Sequence, residues 1–210
     1  MKQSNILTHF KPKSYLTIVV WLIISILAAK FIIKDAIPYF SFEKEAFGRF
    51  FNNRHILILH ISCGILAMLL GPFQFWKSFR TTYPKRHRFI GRFYIIAIII
   101  GTLCATFLAW TSGIAIHWSW AFGLQASALV WIICVLLAYR AIIQKRFQQH
   151  REWMIKSYVS TYSFVFFRLM NDAPFAEHLG NFIERGPTLG WISFAVPIFI
   201  TEIILQWNKK

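Results

Sequence analysis

Six stretches of this chain are apolar for close to the 20 residues that a helix needs to cross a ~30 Å hydrocarbon layer. They fall at about 15–33, 55–76, 93–111, 119–140, 155–172 and 189–207. Lys30 sits near the end of the first, Arg168 interrupts the fifth and Glu202 the sixth. The third and fourth come from one run, 93–139, that contains no Asp, Glu, Lys or Arg and is too long for a single crossing. Thr111-Ser112-Gly113 and His117-Trp118 break it into a hairpin. The pattern predicts an all-α, polytopic membrane helix bundle forming one domain over 1–210. Lys11 and Lys13 ahead of an apolar core have the look of a signal peptide, but Leu27-Ala28-Ala29-Lys30 lacks the small residue at the cleavage spacing, so an uncleaved first helix is expected.

Composition strengthens the membrane reading. Hydrophobic residues make up 57% of the chain and charged residues 15%, against about a quarter in soluble domains. The net charge of +15 raises nucleic acid as a partner, yet the basic residues occupy short connectors between apolar runs rather than a continuous face, which argues against it. Their distribution instead orients the chain. Sixteen Lys and Arg fall on one set of connectors and five on the other. By the positive-inside rule both termini face the cytoplasm, and the expected location is a bacterial inner (plasma) membrane. Cys63, Cys104 and Cys134 lie inside apolar runs without paired spacing and read as small buried hydrophobes.

Polar residues inside spans carry the candidate chemistry, since burying them in lipid is costly. On the second span His60, Cys63, Gly64, Ala67, Gly71 and Gln74 share one face, within about 60° of His60 at 100° per residue. Small residues in the middle suit a packing seam, and polar ends suit a ligand. His60 and Gln74 stand ~21 Å apart along the helix, too far for one small site. In the fifth span Ser157, Thr161, Phe164, Arg168 and Asp172 share a face; Arg168 either pairs with Asp172 one turn on or holds an anionic group. Sorted by depth, the polar residues form an outer layer with His60, Gln125 and Arg168, near which His55, His117 and His178 lie in loops, and an inner one with Gln74, Arg80, His87, Arg88, Arg92, Tyr94, His150, Arg151, Trp153 and Glu202. The loops at 39–51 and 174–186 look amphipathic, and lids over an outer site would share that pattern.

Two inner motifs exceed what topology requires: KRHRFIGRFY from Lys85 and HREWMIKSY from His150. Positive-inside charge explains their Lys and Arg but not His87, Gly91, Tyr94 or the Trp153-Met154 pair. Together with LHISCGILAMLLGPFQF, these HRxxGRxY and HRxWM segments resemble a bacterial family of multi-pass membrane proteins known as a domain of unknown function, over roughly 54–168. The resemblance implies a polytopic protein with His60, Gln74, His87, Arg88, Gly91, Arg92, Tyr94, His150, Arg151, Trp153 and Arg168 at the family's pattern positions; it implies no activity, and it leaves the first span and everything after Arg168 outside.

Three functions fit. In a redox protein holding haem b, His87 and His150 form an inner axial pair, His60 an outer ligand, and Arg residues neutralise propionates. In a transporter or binding protein for an anionic or amphipathic small molecule such as a lipid or quinone, the Arg, His and Tyr residues receive the headgroup. In a non-catalytic membrane subunit they fix packing only. The inner His-Arg cluster ranks first as a site on sequence grounds and the His60/Arg168 layer second. Zinc-ligand spacings, nucleophile motifs and phosphate loops are missing from the sequence.

Overall fold

A computed structural model describes residues 12–207 and 209, with side chains from Tyr15 onward. Lys2, Lys11 and Lys210, which enter the charge asymmetry, lie outside the described residues, as does the side chain of Lys13. All regular structure among the described residues is helical. The helices are α1 (Pro12–Phe31), α2 (Lys44–Phe47), α3 (Arg54–Phe75), α4 (Lys77–Thr82), α5 (Pro84–Leu108), α6 (Trp118–Ile143), α7 (Phe147–Thr161), α8 (Ser163–Asn171) and α9 (Phe182–Trp207). A π-helical turn, Ile32–Ala36, extends α1, and another, Ala109–Gly113, closes α5.

Five helical stretches are long and apolar enough to cross a membrane. Their outward faces carry large apolar side chains, among them Leu16, Ile26, Leu103, Phe199 and Ile204, each more than half exposed. That surface suits lipid and would be a liability in water.

The fifth expected span differs. It is not one helix: α7 ends at Thr161, and α8 begins at Ser163 after Tyr162, whose φ of −91° and ψ of 3° leave the helical region. The cause is local. Ser160 donates to the Lys156 carbonyl, Thr161 to that of Ser157 and Ser163 to that of Ser160, at 2.8 to 3.0 Å. Hydroxyls that bond back to the preceding turn compete with the backbone ladder and bend helices. The sixth stretch also differs, beginning at Phe182 rather than near residue 189 and taking in Pro187 and Pro197. The expected amphipathic helix over 174–186 is split at Gly180 (φ 89°), with a 3₁₀ turn, Pro174–Leu179, on one side and α9 on the other.

Helix ends are tied in alternation. Asn53 before α3 bonds Ser112 after α5 at 2.9 Å. His150 in α7 bonds the Ala138 carbonyl in α6 at 2.9 Å, and Lys209 pairs with Glu152 at 3.0 Å. Lys156 pairs with Glu202. At the opposite end Arg185 reaches Asn171 at 3.2 Å. One end therefore gathers the basic connectors, and the other gathers the loops at 32–53, 109–117 and 172–181.

The core lies nearer the basic end, around Ala67, Met68, Tyr94, Ile98, Trp131, Val135 and Tyr158. Its tightest point joins α3 to α7. Pro72 has no N–H for the Met68 carbonyl four residues back. The Tyr158 hydroxyl donates to that carbonyl at 3.1 Å and meets the Tyr162 hydroxyl at 3.1 Å. The ring can lie there only because residue 71 is glycine: a Cβ would stand 2.0 Å from it.

Candidate functional site

The small face of α3 serves two purposes. Cys63, Ala67, Gly71 and Gln74 are buried against neighbouring helices. A Cβ on Gly101 of α5 would sit 3.2 Å from the Cys63 Cβ, and one on Gly91 would sit 3.0 Å from the Gln74 Oε1. Those four residues form a packing seam. His60 and Gly64 face a cavity of about 240 Å³ in the loop-rich half of the bundle.

The cavity is walled by α1, α3, α6, α7 and α8. Trp120, Trp131, Phe164 and Phe167 supply aromatic surface, and Ser160, Thr161 and Ser163 bring hydroxyls from the α7–α8 break. Its polar groups are few and placed apart. His60 Nδ1 bonds the Gly101 carbonyl at 2.8 Å. A carbonyl only accepts, so Nδ1 carries the proton and Nε2 of the neutral ring is an acceptor, oriented by the backbone. Trp120 is 4% exposed and its Nε1–H has no partner. Arg168 lines the cavity beside Asp35 of the π-helical turn, Nε to Oδ1 3.7 Å. Of the two expectations for Arg168, the pair with Asp172 is not formed: that residue is exposed and accepts from Asn171 instead. Asp35 escaped the sequence reading because it lies 133 positions from Arg168 and only the fold brings them together. Its signal was an acid just past the outer end of the first span, between Lys34 and the apolar Ala36-Ile37.

Other members of the outer layer point elsewhere. Gln125 accepts from Trp110 Nε1 at 3.0 Å. His55 lies against the Phe42 ring, His117 caps α6 by accepting from the Ser119 N–H, and His178 is exposed. None of these three is among the residues lining the cavity, where His60 is the one imidazole among the described residues. Tyr39, Phe50 and Phe182, from the loops with amphipathic patterns, do line it.

The inner motifs converge at the basic end. His150 Nδ1 takes the Ala138 carbonyl, leaving Nε2 as the free nitrogen. His87 lies close enough to His150, Arg80 and Arg88 to interact with them electrostatically. Gln74 Nε2 and His87 Nδ1 are buried without partners. Arg88, Arg92 and Arg151 are exposed. Tyr94 does not join them: it is fully buried, with its hydroxyl 3.0 Å from Ser157 Oγ. Cys63, Cys104 and Cys134 are free and buried.

Residues 57–205 match the model of a family described as a predicted membrane protein, DUF2306. The match runs past Arg168 to take in most of α9, further than the sequence motifs reached, and leaves α1 outside. No curated protein and no solved structure matches the chain.

Proposed function

Because the chain belongs to this family of predicted membrane proteins, we propose that it crosses a bacterial plasma membrane six times and binds an amphipathic small molecule of the lipid or quinone class in the cavity beside His60. The crossing not supplied by the five long apolar stretches is the fifth in chain order, α7 and α8 taken together. The 16-to-5 asymmetry of Lys and Arg supports placing the basic end and both termini in the cytoplasm. The carrying observation is a buried donor without a partner, Trp120 Nε1, on a largely apolar cavity that His60 also lines with its Nδ1 already bonded to the Gly101 carbonyl, which leaves Nε2 as an acceptor. Ligand sites are mostly apolar with a few polar groups that fix orientation. A ring bearing a carbonyl and a hydroxyl satisfies both groups, and its tail leaves through the apolar wall.

The test is mass spectrometry of small molecules extracted from purified protein. A quinone or lipid in near-stoichiometric amount, depleted in His60→Leu and Trp120→Phe while both variants stay folded, is the expected result. Protein that retains none, with neither variant changing stability toward added quinone, would remove the reading.

A second reading keeps haem b. Its motivating observation is the closeness of His87 to His150, each with a free ring nitrogen. In the outer cavity, one imidazole leaves a bis-histidine haem without its second ligand. A Soret band lost in both His87→Asn and His150→Asn would establish haem at the inner pair; a colourless preparation from haem-replete cells would end it.

A further inference from the structure

The basic end has a feature that the cavity reading does not use. Gln74, the next-to-last residue of α3, is 8% exposed, and its amide nitrogen has no partner. It packs on Gly91 of α5, one helical turn beyond His87, so both orphaned groups border the same short strip of α5. Buried polar groups are almost always paired, and those that are not mark an absent partner.

The surroundings define the chemistry of that partner. Arg80 and Arg88 act electrostatically on His87. The strip is the first two turns of a 25-residue helix that has no acid in its first turn and no capping side chain. Its first N–H groups have no capping side chain, which leaves them open to an anion. The nearest acids are already engaged: Glu152 holds Lys209 and Gln148, and Glu202 holds Lys156 and Gln206. Arg80 and Arg88 form no ion pair among the described residues. Positive-inside topology accounts for the number of cations. It gives no reason to bury an amide and an imidazole nitrogen without partners beneath them.

We propose that Gln74 and His87, backed by Arg80, Arg88 and the N-terminus of α5, bind a phosphate group, presented either by an anionic lipid headgroup at the membrane surface or as free phosphate. Gln74 donates through Nε2. In the free protein burial and the cations Arg80 and Arg88 disfavour a charged His87 ring; a phosphate placed among them reverses that balance, and the imidazolium then donates through Nδ1. Gly91 is part of the site, since any side chain there displaces the Gln74 carboxamide. The HRxxGRxY spacing then has a physical reason: His87 and Gly91 must lie one turn apart on the face that meets the end of α3.

The experiment is lipid retention by the full chain in a neutral detergent, read by native mass spectrometry. Phosphatidylglycerol and phosphatidylcholine are added in parallel, and inorganic phosphate serves as competitor. Phosphatidylglycerol is expected to stay bound where phosphatidylcholine does not. Gln74→Glu, nearly isosteric, and His87→Asn should each weaken retention roughly tenfold, the loss of one hydrogen bond to a charged group. Arg86→Gln removes a charge that lies about 140° round α5 from Gly91, where the guanidinium stacks 5.0 Å from the Tyr83 ring centroid, and should leave retention unchanged. Displacement by inorganic phosphate identifies free phosphate as a source; resistance to it identifies the headgroup. If Gln74→Glu fails to fold, Gln74→Met keeps the length and removes the donor, with the same expected loss. Three results would overturn the site: equal loss in Arg86→Gln, which means diffuse surface charge; no retention of either lipid or phosphate, which leaves a bridging water; or a Soret band that depends on His87.

Discussion

Tyr158 shows how one side chain can repair a defect that the sequence itself creates. Pro72 frees the Met68 carbonyl, and the phenol hydroxyl from another helix satisfies it. Tyr158→Phe should cost about 1–3 kcal/mol in detergent unfolding, since the carbonyl is left buried and bare. Pro72→Ala restores a backbone N–H, so the same phenylalanine substitution should cost measurably less in that background, and a double-mutant cycle reads the difference. Gly71→Ala should be at least as harmful, because its methyl would meet the Tyr158 ring. Half of this was legible. The stripe of small residues along α3 announced close approach. The partner on α7 was not, because helical-wheel arithmetic ranks residues on one helix and does not choose which neighbour arrives. Arg168 teaches the same lesson. Its wheel neighbour Asp172 lies at the last turn of α8 and faces solvent, so the cation turns to Asp35, which only tertiary packing supplies.

At the scale of elements, the first, second and fourth expected spans appear as single helices close to their expected limits, because uninterrupted apolar length is a strong signal; the third is one helix too, but it starts at Pro84 rather than 93, carrying the basic motif as its first turns. The fifth failed as one helix for a reason present in its letters: the Ser157-Tyr158-Val159-Ser160-Thr161-Tyr162-Ser163 run supplies three back-bonding hydroxyls within two turns. A hydropathy count scores those residues as mildly polar and misses their geometry. The sixth was started too late, since Pro187 reads as a boundary but stands one turn inside α9. The π-helical turn after α1 is held to α8 by Asp35 and Arg168, both partly shielded. Asp35→Asn should speed backbone hydrogen exchange over 32–41 several-fold, the equivalent of roughly 1 kcal/mol, without altering exchange in α3 or α5. Unchanged exchange would mean that apolar contacts alone hold the turn.

For the whole molecule, the alternating end contacts set a topology that charge alone then orients. Cysteines placed at Lys145 and Glu177 should react with an impermeant maleimide from opposite sides of the membrane, and the native thiols, all buried, should stay silent. Labelling of both from one side would refute six crossings. The candidate site was legible only in outline. His60 and Arg168 line one cavity and His87 stands near His150 at the basic end, while Gln125 and Tyr94 join neither group; the cavity fell to the layer ranked second, since enclosed space is a property of several helices together and has no letter in the chain. One consequence remains. The most apolar stretch of α1 has no buried residue, and it lies against the bundle along a single edge through Trp21, Ile24, Leu27 and Phe31. A guest dissolved among acyl chains can then slip in sideways past this loosely leaning helix and never touch bulk solvent. Uptake should follow the guest's mole fraction in the bilayer: diluting reconstituted vesicles with buffer should leave the rate unchanged, and adding lipid at fixed total guest should slow it.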